Sequence, residues 1–173
     1  MVELLNNIPP SGLYMEFFFE QESNFKGNRW EYVLFTKKDG EKWLGHFRCN
    51  DYNYSNVKEL SCNDIGCIVA GGEGYLIDIE NKKLISIVKS NPILDVFSDE
   101  PTCIIYIIGF GDVVRISKDF QETTLALPIR ADGIKFKEVL DRKLFLEIEE
   151  IGGMETLNTD FYINLDDFLI KRK

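Results

Sequence analysis

Few residues of the chain could do covalent chemistry. His46 is its single histidine, the side-chain type best suited to general acid–base work near neutral pH. It stands in an apolar, alternating run between Trp43 and Phe47, where a lone histidine is more often packed than catalytic. Asp95 is followed by Asp99 and Glu100, and Asp166 by Asp167. Paired carboxylates hydrolyse glycosides when they face each other across a cleft of about 5 to 10 Å. Linear neighbours among 29 acidic residues do not set that distance. No Gly-x-Ser-x-Gly elbow and no cysteine–histidine grouping is present. The cysteines at 49, 62, 67 and 103 form no Cys-x-x-Cys pair, so a zinc site is not expected. Gly71-Gly72-Glu73-Gly74 lacks the Lys-Ser/Thr of a phosphate loop and leads into a strand pattern, which makes it a turn needing positive φ. The expectation is no catalytic residue, no metal and no cofactor.

Binding chemistry is better represented. Asn50 to Asp64 is the longest stretch without periodicity, and it carries Asp51, Tyr52, Asn53, Tyr54 and Asn56. Tyrosine with asparagine and serine is what binding loops use, because tyrosine gives a large amphipathic contact at low entropic cost. These five residues are the expected partner-binding set; the alternative is a surface crossover whose tyrosines fold back onto the sheet. Trp30 and Trp43 offer a second class of site, stacking platforms for a carbohydrate or other small ligand. Pairing Phe35 with Trp43 would bury the second of them.

The elements that position these residues read as strands. Ile65–Ala70, Gly74–Ile79 with Leu84–Val88, and Cys103–Ile108 with Val113–Ser117 are short Ile- and Val-rich runs separated by Gly, Asn, Asp and Pro. Earlier, Leu13–Phe19 reads as a strand, and Trp30–Phe35 with Trp43–Phe47 flanks Lys38-Asp39-Gly40. A three-residue loop with Gly40 left-handed sets Leu34 against Leu44, Tyr32 against His46, Trp30 against Arg48 and Lys37 against Glu41. Asn81-Lys82 would place Ile79 opposite Leu84, and the turn at Gly109-Phe-Gly-Asp112 Ile108 beside Val113. Late in the chain, Ile134–Leu140 and Leu144–Glu149 pair around Asp141-Arg-Lys143, with Phe136 against Ile148, and Asp160–Leu165 is a last strand. No stretch supports a long amphipathic helix. The expected fold is a single all-β domain over 1–173, an antiparallel meander of about a dozen strands arranged as a sandwich or as propeller-like sheets.

Composition limits the partners. Twenty Lys and Arg against 29 Asp and Glu give a net charge of −9, which repels a nucleic-acid backbone and can steer a basic protein. The longest apolar run, Cys103–Phe110, falls far short of the roughly 20 residues that span a bilayer. Met1–Ile8 has no secretory pattern. A cytoplasmic protein with reduced thiols is therefore expected, with Cys67 and Cys103 as small core hydrophobes and the Asn53-Tyr-Ser55 sequon a chance match. An unpaired edge strand leaves monomer and homodimer both open.

Ile68-Val-Ala-Gly-Gly-Glu-Gly-Tyr-Leu-Ile-Asp78, then Arg130-Ala-Asp-Gly-Ile-Lys-Phe136, then Phe161-Tyr-Ile-Asn-Leu165, cover about half of the chain. They resemble small bacterial all-β immunity proteins of polymorphic toxin and contact-dependent inhibition systems. Ala131 stands where that group's tryptophan is expected. The resemblance implies a cytoplasmic, non-catalytic, cofactor-free protein that binds and neutralises a toxin domain, and the acidic charge is compatible with a basic nuclease toxin.

Overall fold

The computed structural model describes residues 1–20, 29–50, 52–60, 62, 64–90, 92–129, 131–150 and 157–173. Residues 21–28, Asp51, Ser61, Asn63, Asn91, Arg130 and 151–156 lie outside the described residues. Among those described, sixteen strands and no helix form four sheets of four. Sheet 1 holds β1 (Val2–Leu5), β2 (Met15–Phe19), β3 (Trp30–Thr36) and β4 (Lys42–Arg48), in the order β1-β3-β4-β2. Sheet 2 is the meander β5 (Asn56–Leu60), β6 (Ile65–Ala70), β7 (Glu73–Asp78) and β8 (Lys83–Ile87). Sheet 3 is β9 (Ile93–Asp99), β10 (Ile104–Gly109), β11 (Asp112–Ile116) and β12 (Glu122–Ala126). Sheet 4 is β13 (Ala131–Leu140), β14 (Lys143–Glu150), β15 (Leu157–Asn164) and β16 (Leu169–Arg172).

The sheets stack face to face in a propeller-like row, because each strand pattern leaves an apolar face that only a neighbouring sheet can cover. The first strands meet in succession, β1 against β5, β5 against β9 and β9 against β13. Three apolar layers fill the gaps. Phe35, Trp43 and Phe47 meet Tyr75 and Ile77 between sheets 1 and 2. Leu76 and Val69 meet Ile105 and Ile107 between sheets 2 and 3, and Tyr106 and Ile108 meet Leu146 and Phe161 between sheets 3 and 4. The strands at 65–70 and 104–109 are buried on both faces, which is why they read as continuous apolar runs.

Turn chemistry fixes most registers. Gly40 has φ +86°, and the expected pairs Phe35–Trp43, Tyr32–His46 and Trp30–Arg48 form. Lys37 meets Glu41 at 2.7 Å. Ile108 faces Val113 and Tyr106 faces Arg115. Two registers differ from expectation. Leu84 pairs with Ile77, since a bulge follows Leu76 and the connection runs over four residues. Phe136 pairs with Leu146, because Asp141 and Arg142 both adopt positive φ in a two-residue turn and bulges interrupt the ladder. The solvent face of sheet 4 is closed by charge: Lys137 bridges Glu147 at 2.7 Å and Asp160 at 2.8 Å. Lys143 and Lys173 lie over the rings of Tyr162 and Phe145.

One thiol expectation is corrected. Cys103 is buried but bonded to Cys62, with Cα atoms 6.3 Å apart. The β5–β6 and β9–β10 turns sit at the same end of adjacent sheets, within disulfide reach. Cys49 and Cys67 are buried free thiols.

Burial also sets an alkaline limit. It pushes the Cys67 thiol up from 9.0 to about 12 and the Tyr106 hydroxyl from 10.0 to about 12, and it raises Tyr54 and Tyr75 in the same direction. Each group is neutral in the fold and ionises first in the unfolded chain. Their stabilisation is therefore complete below the unfolded values and is lost as pH rises through the folded ones. The urea midpoint should hold up to pH 9.0 and fall steadily above it; an unchanged midpoint at pH 11 would contradict this burial.

Candidate functional site

Sheet 1 builds its site from a topological necessity. β1 and β2 lie at opposite edges of the sheet, so residues 6–14 must cross one of its faces. The inner face is filled by the contact with sheet 2. The crossing therefore runs over the outer face, where Leu44 is only 1% exposed and Ile8, Pro9 and Ser11 become one wall of a hollow.

Cross-strand rows supply the rest. β2 runs parallel to β4 and sets Phe18 beside His46; β3 sets Tyr32 on the other side of His46 and Trp30 beside Arg48. Strand alternation turns Phe17 and Phe19 inward and Phe18 outward. The hollow measures about 450 Å³ and is lined by Ile8, Pro9, Ser11, Glu16, Phe18, Trp30, Tyr32 and His46.

Its floor is a stack. His46, 4% exposed, is held by Glu16 Oε2 at 3.0 Å from Nε2. Phe18 lies on the imidazole at 4.2 Å with planes 25° apart, and Tyr32 meets the same ring edge-on at 5.2 Å. The other face of Phe18 is open, and the residue is 64% exposed. Trp30 stands perpendicular to it at 6.0 Å and 86°. The Arg48 guanidinium lies 5.6 Å from the Trp30 ring, with Glu20 accepting from it at 2.8 Å. Among the described residues, the Ser11 hydroxyl, the Trp30 Nε1–H and the Tyr32 hydroxyl have no protein hydrogen-bond partner. Polar groups left open around an apolar hollow are what orients a ligand.

The expected partner-binding loop is largely engaged within the protein. The Tyr52 carbonyl and the Asn53 side chain accept from Arg29 at 3.0 and 3.3 Å. The Tyr54 hydroxyl donates to Asp95 at 2.9 Å and accepts from Asn56 at 2.8 Å, and the Tyr54 ring packs on the layer between sheets 2 and 3. Tyr54 and Asn56 thus tie β5 to β9. The Tyr52 ring remains 46% exposed, and Phe110, 44% exposed, lies at the same end of the stack; Asp51 lies outside the described residues.

The carboxylates considered for chemistry are not gathered around His46. Asp95 bonds Tyr54, and Asp99 accepts from Thr102 and from Arg142, the latter at 2.7 Å. His46 has Glu16 instead. Trp43 is fully buried against Phe35, its Nε1–H donating to the Ile79 carbonyl at 3.1 Å. Of the two tryptophans, only Trp30 reaches the hollow. Phe18 is not legible as a site residue in the sequence: its signal is the outward position in a run of three phenylalanines, and its meaning depends on the parallel β2–β4 pairing.

No family model matches the chain, and no curated protein matches it. Among solved structures, the chain is similar to the extracellular domain of a putative hybrid two-component system from B. thetaiotaomicron, with a TM-score of 0.52 and 8% identity. The match covers 92% of this chain and 23% of that one, so this chain spans under a quarter of its neighbour's length, and the likeness is one of fold.

Proposed function

We propose that the chain is a non-catalytic binding module that holds a small, ring-bearing ligand in the hollow of sheet 1. The observation that carries this reading is the open face of Phe18, fixed from beneath by the buried His46, which the half-buried Glu16 holds, and ringed by polar groups without protein partners among the described residues. An exposed aromatic ring already held in place gives contact area without an ordering penalty. The Cys62–Cys103 disulfide supports an oxidising compartment for such a module in place of the cytoplasm.

Benzyl alcohol, an uncharged ring probe, titrated into isotope-labelled protein tests the site. Amide shifts should concentrate on Phe18, Trp30, Tyr32 and His46. Shifts confined to the loop end at 52–56 and 110, or none, would remove the hollow as the site.

A protein partner, such as a toxin domain neutralised by binding, is the second reading. It is favoured by Tyr52 and Phe110, two exposed aromatic rings at the loop end, and by the net charge of −9, which suits a basic partner. Capture of one stoichiometric basic partner, lost in the Tyr52→Ala/Phe110→Ala double variant, would support it. Capture unchanged by that variant would remove the loop end from the account.

A further inference from the structure

We propose that the ligand of the sheet 1 hollow is a neutral sugar whose ring stacks on Phe18. This rests on the hollow being the binding site and adds the chemistry of what it takes.

Shape comes first. Phe18 has one face on His46 and one face open, and Trp30 stands perpendicular to it at 86°. The two rings form a corner and not a slot. A flat aromatic ligand gains most between two parallel walls. A corner suits a puckered ring that lays a C–H face on the negative face of one aromatic ring and turns its edge to the other.

Charge narrows the class. The two charged groups nearest the rings already have partners in the protein, Arg48 in Glu20 and Glu16 in His46. An ionic ligand would have to compete with those pairs, whereas an uncharged one leaves them intact, so the pairing favours an uncharged ligand.

The polar groups agree with this. The Trp30 Nε1–H can only donate, whereas the Tyr32 and Ser11 hydroxyls both donate and accept. Sugar hydroxyls do both as well, and one ring carries several of them. A hollow of about 450 Å³ admits one or two sugar units.

The test titrates glucose, galactose, mannose, N-acetylglucosamine, maltose and cellobiose separately into labelled protein, with benzyl alcohol alongside. At least one sugar should saturate at millimolar or lower concentration and shift Phe18, Trp30 and Tyr32. Phe18→Ala, an exposed position whose loss leaves the core intact, should weaken that sugar about tenfold, as expected for losing a stacking partner. Tyr32→Phe, which removes only the hydroxyl, should weaken it about threefold to tenfold. If benzyl alcohol shifts the hollow and no sugar does so at tens of millimolar, the sugar assignment is overturned and the hollow stands. If neither probe shifts it, both readings fall. A sugar that binds equally well to Phe18→Ala also overturns the assignment.

Discussion

Replacing Cys62 and Cys103 together by serine should lower the stability of the fold by about 4 kcal/mol, the chain-entropy value for a loop of this length. The bond joins positions 41 residues apart, and it clamps the β5–β6 turn of sheet 2 to the β9–β10 turn of sheet 3. Apolar packing between these sheets, centred on Leu76, Val69, Ile105 and Ile107, survives the change, so the variant should still fold. At about 2 to 4 °C per kcal/mol for a chain of this size, the melting temperature should fall by roughly 8 to 16 °C. Dithiothreitol should produce the same fall in the wild-type protein and none in the double variant. Equal melting of wild-type protein with and without reductant would show that the clamp contributes nothing.

Trp43→Ala should be comparably severe, costing about 3 to 5 kcal/mol through the cavity it leaves. The ring is fully buried, stacked on Phe35 at 4.0 Å and edge-on to Phe17 at 5.4 Å. The substitution also removes the donor to the buried Ile79 carbonyl. Trp43→Phe keeps most of the packing and loses that hydrogen bond, so it should cost less, about 1 to 3 kcal/mol. Phe18→Ala, on the open face of the same sheet, should change stability by less than about 1 kcal/mol. Chemical denaturation of the three variants separates the roles. A Phe18→Ala penalty equal to that of Trp43→Ala would make Phe18 a core residue and weaken its claim as a platform.

These two aromatic positions also show where the sequence could be read and where it could not. Trp43 is legible as an interior residue because a three-residue turn at Lys38-Asp39-Gly40 sets its register against Phe35, and local turn chemistry is written in adjacent residues. The same turn placed Tyr32 beside His46 and Trp30 beside Arg48, two of the rows that build the hollow. Phe18 could not be placed in this way. It reaches His46 through β2, whose parallel pairing with β4 comes from a crossing of residues 6–14 and not from a hairpin. β1, β5, β12 and β16 are not legible in the sequence either. Each is a short strand at the edge of its sheet, where partial exposure blurs the alternation. The loop at 50–56 was legible as unusual, but its composition alone could not show that the Tyr54 hydroxyl has Asp95 as its partner, 41 residues away. The Cys62–Cys103 bond was hidden for the same reason, since only the stacking of sheets 2 and 3 brings the two turns together.

The most direct measurement follows the two tryptophan indole N–H signals by heteronuclear NMR as benzyl alcohol and the sugar panel are added. Trp30 lines the hollow and Trp43 is sealed in the layer behind the same sheet, so the protein carries its own control. A saturable shift of the Trp30 signal with Trp43 unmoved is the predicted result. A Trp30 signal that stays still throughout would contradict the hollow as the functional site.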